Sequence, residues 1–253
     1  MVNLLKMVKE EKPENIINHI NKRIKEFDLN PIGTDIRSKD TSEDVRLYYN
    51  NQYIKFREFY NNSKERDIKD LYTLSFYSFC NLMRFNSKNQ FNMPYGNRCY
   101  LLNEDTHRLI LAHDRLNEKN IELRCGDSFD LLKTITKNEN QFLYFDPPYS
   151  NSTAIYNENR AFGGWTVETD KMLFNEMDRL TSLGIKWAYS NVLEIRGKDN
   201  NHIEEWAQKN NYTIIEFENK DYSSLGKGIS NAREVLIINY EQRVKRFNIF
   251  DFM

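Results

Sequence analysis

The chain has 253 residues, which is enough for one large domain with an inserted subdomain or for two small domains. Hydrophobic residues make up 40% of it and charged residues 29%, so a packed core is compatible with a very polar surface. The formal net charge of −1 does not exclude a nucleic-acid partner, because binding depends on where Lys and Arg cluster and not on their sum.

Targeting and metal-binding signals are absent from this sequence. No apolar run approaches the roughly 18 residues that a membrane span needs, and the first residues lack the pattern of a signal peptide. The three cysteines, Cys80, Cys99 and Cys125, are far apart and form no CxxC or Cys/His spacing. We therefore expect a cytoplasmic protein with reduced thiols and no metal site.

Helical periodicity dominates the first half of the chain. Apolar residues recur at helical spacing from Leu4 to Ile24, and Pro13 opens a second helix after a short break. A polar loop is expected over residues 29–45. Helices are expected over residues 1–28, 47–59, 68–83 and 104–119.

A hairpin-like element interrupts this helical region after Arg84. Phe85 and Phe91 flank a polar tip, Ser87-Lys88-Asn89, and Pro94 with Gly96 ends the element. Apolar residues on both sides of a short polar turn are typical of two paired strands.

The second half alternates short apolar strands with helical stretches. This alternation predicts an open α/β sheet. Strands are expected at 121–124, 142–145, 185–189, 212–217 and 234–240, and helices at 168–183 and 200–210. The tail at 246–253 receives no assignment.

The stretch Tyr144-Phe145-Asp146-Pro147-Pro148-Tyr149 is the most informative in the sequence. It places an acid at the carboxyl end of an apolar strand, which is where open α/β sheets bind ligands. Asp-Pro and Pro-Pro are also common turn dipeptides, so an ordinary turn is the structural alternative. Two adjacent prolines between an acid and a tyrosine, in a chain with only five prolines, favour a functional motif.

Methylation of an exocyclic amino group is the chemistry that this arrangement suits. Such a nitrogen is a poor nucleophile because its lone pair is delocalised into the ring. A carboxylate from Asp146 and the main-chain carbonyl of Pro147 would accept its N–H bonds and favour a tetrahedral nitrogen. Pro147 and Pro148 restrict the backbone and hold that carbonyl in one orientation. Tyr149 would stack on a base rotated out of the duplex.

The tetrapeptide DPPY resembles the signature of amino-methyltransferases. The hairpin from Arg84 to Arg98 is similar to the target-recognition segment of Dam-type DNA adenine methyltransferases, especially those of tailed phages and Gram-positive bacteria. The stretch from Ile185 to Asn200 resembles the phage enzymes as well, and the resemblance covers roughly residues 1–240. It implies transfer of a methyl group from S-adenosylmethionine to adenine N6, usually in GATC.

The resemblance assigns DNA contacts to the hairpin. Arg84 aligns with the arginine that reads a guanine edge, a task that suits the paired donors of a guanidinium. Pro94 and Arg98 align with positions that face bases or backbone. Phosphate contact is expected at the tip residues. These are Asn86, Lys88 and Asn89, and a second basic loop before the last strand adds Lys227 and Arg233.

The resemblance also implies cofactor contacts in the second half. Asp127 and Ser128 match the acid and its neighbour that approach the adenine of the cofactor, although a helix N-cap at 127–128 explains them as well. Tyr156 matches a position near the cofactor, and Asp146 contacts it from the catalytic motif. Ser190 and Asn191 are expected at the end of the next strand, lining the adenine pocket, whereas Trp165 receives no role.

One family segment has no counterpart in this sequence. Dam-type enzymes open with a lysine-bearing element, a strand leading into a Phe-x-Gly-Gly-type loop, and a strand ending in an Asn-Asp pair that binds the cofactor ribose. None of the nine glycines lies between an apolar strand and a helix upstream of the hairpin. The two missing strands belong between those at 121–124 and 142–145, so two inner edges would be unpaired.

We therefore expect a split enzyme, with this chain as the large catalytic subunit of a heterodimer. A second, small polypeptide would supply the glycine loop and dock by strand addition, because a homodimer cannot supply a motif that neither copy contains. The expected fold is α/β, a Rossmann-like class I methyltransferase sheet that is incomplete without its partner. It comprises a helical region with the recognition hairpin over 1–120 (hairpin at about 84–98), a catalytic half-domain over 121–245, and the tail.

Two other functions compete with this one. A truncated, catalytically silent DNA-binding protein would keep the hairpin, but it has no need of an intact Asp146–Tyr149 motif. An amino-methyltransferase acting on RNA or on a protein glutamine would keep that motif, but the hairpin disfavours it.

Overall fold

The structure is a computed structural model that describes residues 1–34, 36–37, 41–138, 140–150, 165–195, 198–217 and 233–241. It divides into two compact units, Met1–Gly126 and Asp127–Met253. Among the described helices, none combines the length and the apolar character that a bilayer crossing requires.

The first unit is a helical bundle, as the periodicity predicts. On α2, Ile16, Ile20 and Ile24 recur every four residues and are all buried, so one face of this helix enters the core. Aromatic residues from α3 and α4 fill much of the same core. The helices are α1 (Val2–Glu10), α2 (Pro13–Glu26), α3 (Glu43–Asn62), α4 (Ile68–Tyr77) and α5 (Leu102–Glu118).

A buried carboxylate joins α2 to α4. The two oxygens of Asp70 accept hydrogen bonds from Nε and Nη2 of Arg23 at 2.7 and 3.1 Å. Oδ1 also lies 2.6 Å from Nε2 of His19. Burial raises the pKa of Asp70, but the hydrogen bonds from His19 and Arg23 outweigh it and hold that pKa below its usual range.

The helix expected at 68–83 is shorter in the structure. It ends at Tyr77 and is followed by a 3-10 turn, Phe79–Asn81. Cys80 and Asn81 both adopt left-handed backbone angles, with φ of 54° and 56°. An α-helix cannot continue through residues in that region, so the chain turns toward the hairpin instead.

The second unit is built on an open mixed sheet, which confirms the predicted α/β class in its coarse form. The strand order is β1-β2-β5-β4, and the short β3 pairs with β2. β1 and β2 are parallel, whereas β5 runs antiparallel to both β2 and β4. The elements are α6 (Ser128–Thr134), β1 (Phe142–Phe145), α7 (Val167–Ser182), β2 (Lys186–Ile195), β3 (Lys198–Asp199), α8 (Asn201–Lys209), β4 (Thr213–Glu216) and β5 (Arg233–Ile238).

One face of this sheet is covered by α7 and α8. Trp187 and Tyr189 of β2 alternate with residues of the opposite face and are fully buried together with Val235 and Ile237 of β5. Apolar side chains of α6, α7 and α8 complete this core. They are Leu132, Leu173, Phe174, Met177, Leu180, Ile203 and Ala207.

The strand expected at 121–124 is not formed, so that prediction is wrong for this structure. Residues 121–125 have no regular secondary structure and fall in the first unit. A strand requires a hydrogen-bonded neighbour, and among the described segments none pairs with this one. The strand expected at 185–189 is longer in the structure. It is β2, which continues to Ile195 and therefore has Ser190 and Asn191 in its interior.

β1 lies at one edge of the sheet, and β4 lies at the other. Within the described residues, only β2 pairs with it. Phe142 and Tyr144, on the face away from the core, are 52% and 61% exposed. Parallel strands in α/β proteins are usually covered on both faces, so β1 presents an uncommon combination of a free edge and exposed aromatic rings.

Candidate functional site

Asp146 follows β1 directly and lies at the carboxyl end of the parallel strand pair. Phe145, the last residue of β1, is in register with Tyr189 of β2. The side chain of Asp146 is exposed and is not turned into the core. The strand thus ends by presenting a carboxylate at the sheet edge where α/β proteins bind ligands.

A hydroxyl group on the neighbouring strand orients this carboxylate. Oγ of Ser190 lies 3.1 Å from Oδ1 of Asp146 and 3.4 Å from the carbonyl oxygen of Phe145. The hydroxyl of Tyr144 donates to the same Oγ at 3.0 Å. Because Tyr144 supplies a proton to Ser190, the single proton of Ser190 is free to point at the Asp146 carboxylate.

The sequence placed Ser190 at a strand end beside a purine pocket, and the structure gives it a different setting. Ser190 contacts the carboxylate itself, and Tyr144 completes the chain of hydroxyl groups. The signal for Tyr144 was present in the sequence, since residues two apart on a strand share a face and Tyr144 precedes Asp146 by two. Asn191 is buried and hydrogen-bonds to the Tyr189 hydroxyl and the Val192 amide.

A cavity of about 350 Å³ opens beside Asp146. This volume is within the usual range of small-molecule sites, about 300–1,000 Å³. Its wall is mostly apolar and is formed by residues of α6, β1 and α7, by the two prolines, and by the residue before the N-cap of α7. The lining includes Ser128, Leu131, Leu132, Asp146, Pro147, Pro148 and Trp165.

Only some of the predicted cofactor residues line the cavity. Ser128 and Asp146 line the cavity, whereas Asp127 does not. Asp127 is the N-cap of α6, and its Oδ1 accepts from the amide of Phe129 at 2.9 Å. The capping role considered for 127–128 is therefore confirmed for Asp127. Tyr156 lies outside the described residues.

The backbone after Pro148 is linked to the sheet by hydrogen bonds through Asn200. Tyr149 is partly buried and is not part of the cavity lining. The next residue, Ser150, donates to Oδ1 of Asn200 at 3.2 Å. Asn200 is buried, and its Nδ2 donates to the carbonyl of Val192 on β2. The sequence did not single out Asn200.

In the first unit, the predicted hairpin is present. Phe85 and Phe91 form an antiparallel bridge, and their rings contact edge to face. Oδ1 of Asn86 accepts from the amides of Lys88 and Gln90, both at 3.0 Å. Asn86 was assigned to phosphate contact, but its side-chain oxygen shapes the tip of the hairpin here.

The hairpin is fastened to α3 by side chains that reach its backbone. Asn61 donates to the carbonyl of Phe91 and accepts from its amide, at 3.0 and 2.8 Å. Tyr53 and Arg57 both donate to the carbonyl of Met93 at 3.0 Å. These bonds fix the base of the hairpin to α3, and the guanidinium of Arg66 donates to the carbonyl oxygen of Asn89 at the tip.

The cationic and polar residues of the hairpin are presented to solvent. Arg84, Lys88, Asn89 and Pro94 are all exposed. The guanidinium of Arg84 donates from Nε to Oδ1 of Asn92 at 3.0 Å, which orients it without burying it.

Two further features define the end of the hairpin. A Cβ atom added to Gly96 would lie 2.6 Å from the carbonyl oxygen of Ser78, so only glycine fits this close approach. Arg98 is partly buried and donates from Nη1 to Oδ1 of Asn81 at 2.6 Å.

The second basic loop is only partly described. Lys227 lies outside the described residues. Arg233 is the first residue of β5 and forms ion pairs with Glu216 at 2.6 Å and Glu204 at 3.6 Å. Glu216 is on β4 and Glu204 is on α8, so the guanidinium of Arg233 is paired with acids of its own unit.

Comparison with known proteins decides the family. A family model described as D12 class N6 adenine-specific DNA methyltransferase matches residues 1–221. The chain belongs to this family.

Its relatives in the family include enzymes named for restriction-modification systems. The type II methyltransferase M.FokI of Planomicrobium okeanokoites is 32% identical over 247 residues, which cover 97% of this chain and 35% of the relative. The modification methylase StsI of Streptococcus sanguinis is 31% identical over 246 residues, 94% of this chain and 34% of the relative. The modification methylase LlaI of Lactococcus lactis subsp. lactis is 33% identical over 189 residues, 74% of this chain and 28% of the relative. The chain thus spans about a third of the length of these relatives.

D12 class methyltransferases use S-adenosylmethionine as the methyl donor. The cavity fits part of this molecule. Its apolar wall suits an adenine ring, and the Asp146 carboxylate suits the neighbourhood of a positively charged sulfonium. Its described lining includes no Lys or Arg to pair with the carboxylate of the methionine moiety.

Proposed function

We propose that this chain carries the catalytic centre and the target-reading hairpin of a DNA adenine-N6 methyltransferase. The observation that carries the proposal is the exposed Asp146 carboxylate, held by Ser190 at the mouth of a cavity behind two prolines. A protein that only binds DNA has no need of an oriented carboxylate beside a largely apolar cavity.

In the proposed reaction, a target adenine leaves the base stack and presents its N6 amino group to Asp146. The carboxylate accepts one N–H bond and the Pro147 carbonyl accepts the other, which favours a tetrahedral, nucleophilic nitrogen. The cofactor, when bound, supplies a methyl carbon on a sulfonium. Asp146 and the Pro147 carbonyl would hold the N6 lone pair toward that carbon, the sulfur would keep the electron pair of the carbon–sulfur bond, and the proton displaced from N6 would pass to solvent.

Ser190 keeps the carboxylate in position for this task. A hydrogen bond from a hydroxyl to a carboxylate is charge-assisted and directional. Tyr149 is proposed to stack on the extruded base, and Ser128 to contact the cofactor together with Asp127 and Tyr156.

The hairpin is proposed to read the DNA target. Arg84 would donate to O6 and N7 of a guanine, Pro94 and Arg98 would contact bases or backbone, and the tip residues Lys88 and Asn89 would approach phosphates. This proposal is supported by the hydrogen bonds from α3 to the hairpin backbone and by the exposed side chains of Arg84 and Lys88. GATC is the first target sequence to test.

The decisive experiment replaces Asp146 with Ala. Asp130→Ala is a matched control, because Asp130 is an exposed acid on α6 that does not line the cavity. Both variants and the unaltered chain are expressed in a methylation-deficient host, and long-read sequencing of the host genome locates N6-methyladenine in any sequence context. Methylation should be lost only in Asp146→Ala, while binding to a duplex persists. Methylation that survives in Asp146→Ala would refute the mechanism.

We further propose that polypeptide outside the described sheet pairs with the free edge of β1. It would complete a Rossmann-like sheet and supply the glycine loop and the partners of the cofactor ribose and carboxylate. The support is the exposed edge of β1, with Phe142 and Tyr144 uncovered, and the absence of strand structure at 121–125. This edge would accept a strand from a second small subunit or from a segment that is joined covalently.

Reconstitution tests this second proposal. The 253-residue chain is assayed for methyl transfer alone and with a candidate segment that contains a Phe-x-Gly-Gly loop and an Asn-Asp pair. Activity should require the added segment, and the amides of β1 should become protected from hydrogen exchange on mixing. Full activity of the chain alone would contradict the proposal.

A further inference from the structure

Trp165 has a setting in the structure that its sequence position did not suggest. It precedes Thr166, the N-cap of α7, and its side chain forms part of the wall of the Asp146 cavity. Its ring is nearly parallel to that of Phe129 on α6, with an interplanar angle of 13° and a centroid distance of 6.4 Å.

A buried acid holds the indole in place. Nε1 of Trp165 donates to Oδ1 of Asp170 at 2.7 Å, and Asp170 is fully buried. The second oxygen of Asp170 lies 2.8 Å from Nε2 of His202 on α8. The polar edge of the indole is therefore satisfied inside the protein, which leaves the ring to line the cavity.

Holding Trp165 with the buried carboxylate of Asp170 costs more free energy than packing alone would. Taking a carboxylate out of water costs free energy that a hydrophobic residue of similar volume would not. An apolar side chain in the first turn of α7 would pack against an apolar residue before the N-cap equally well. The use of Asp170 and His202 instead fixes one orientation of the Trp165 ring.

We propose that Trp165 is the surface on which an adenine ring packs in the cavity, and that Asp170 and His202 are its positioning residues. This inference rests on the proposed function and names the ligand group. A planar, apolar indole beside Asp146, Pro147 and Pro148 suits the face of a purine, because bases stack on aromatic side chains. The adenine belongs either to the cofactor or to the target nucleotide.

Tryptophan fluorescence tests the proposal without requiring methyl transfer. The chain is titrated with S-adenosylhomocysteine and separately with an adenine-containing single-stranded oligonucleotide. If reconstitution shows that activity needs the added glycine-loop segment, that segment is present in both titrations. The matched control oligonucleotide has an abasic site in place of the adenine. One of the two adenine ligands should quench the emission of the protein. The quenching should disappear in Trp165→Phe, because neither Trp187 nor Trp206 lines the cavity.

Kinetics provide the second readout. Trp165→Leu should raise KM about tenfold for the cofactor or for DNA, whichever ligand quenches, with a smaller change in kcat. Trp165→Phe should restore most of the affinity because it keeps an aromatic face. Quenching in a chain that transfers no methyl group would sustain this inference while refuting the proposed function. If neither ligand quenches and Trp165→Leu lowers only the melting temperature, Trp165 has only a packing role before α7 and the inference is wrong.

Discussion

Replacing Asp70 with Asn is expected to destabilise the helical unit strongly. The Asp70 side chain is 3% exposed and that of Arg23 is 13% exposed, and the two form a bidentate ion pair. Removing one partner of a buried pair leaves an uncompensated charge and costs about 3–5 kcal/mol. Glu26 remains beside Arg23 at 2.7 Å, so we expect about 3 kcal/mol, the lower end of this range.

Urea-induced unfolding followed by circular dichroism measures this loss. All three tryptophans, Trp165, Trp187 and Trp206, lie in the second unit, so their fluorescence reports that unit separately. Glu26→Gln is the matched control, because it removes an exposed partner of the same guanidinium and should cost less than about 1 kcal/mol. A loss below about 1 kcal/mol for Asp70→Asn would refute the reasoning.

The pH dependence follows from the lowered pKa of Asp70. A carboxyl group whose pKa is lower in the folded state contributes stability above its unfolded pKa of about 3.9, and this contribution is lost as pH falls through the folded value. The difference in unfolding free energy between the unaltered chain and Asp70→Asn should therefore be constant near neutral pH and shrink below about pH 4. A difference that widens in acid would contradict the assignment.

Three further predictions concern the site and the hairpin. Ser190→Ala should lower kcat about tenfold or more, because a hydrogen bond to a charged group contributes about 1.5–3 kcal/mol. Ser190→Thr keeps the hydroxyl group, so its kcat should stay close to that of the unaltered chain. Equal rates for all three proteins in a steady-state assay would contradict the role of Ser190 in orienting Asp146. Arg84→Lys should weaken binding to the specific duplex about tenfold and reduce discrimination at the guanine, as measured by fluorescence anisotropy; an equal loss on every duplex would indicate phosphate contact instead. Asn61→Ala should destabilise the first unit by about 1–3 kcal/mol, since it removes both hydrogen bonds to the backbone of Phe91. A change below about 0.5 kcal/mol, the usual scatter of surface substitutions, would show that the hairpin does not need these two bonds.

Local patterns were sufficient for the elements whose stability is local. The spacing of Ile16, Ile20 and Ile24 predicts the buried face of α2, and the phenylalanines around a polar tip predict the bridge between Phe85 and Phe91. Asp146 at the end of an apolar strand was also predicted correctly. Each of these depends on residues close in sequence, where periodicity and turn chemistry are informative.

The sequence by itself thus determined the acid at the end of an apolar strand, the hairpin and the alternation of strands and helices. Only the tertiary structure decided that 121–124 is not a strand, because strand formation depends on a neighbour that the local pattern cannot supply. It also decided which side chains surround the Asp146 carboxylate. Ser190 reaches Asp146 because β2 lies parallel to β1, and Trp165 lines the same cavity because Asp170 holds its indole. Contacts between residues far apart in sequence depend on how the elements pack, and packing is settled by the whole fold.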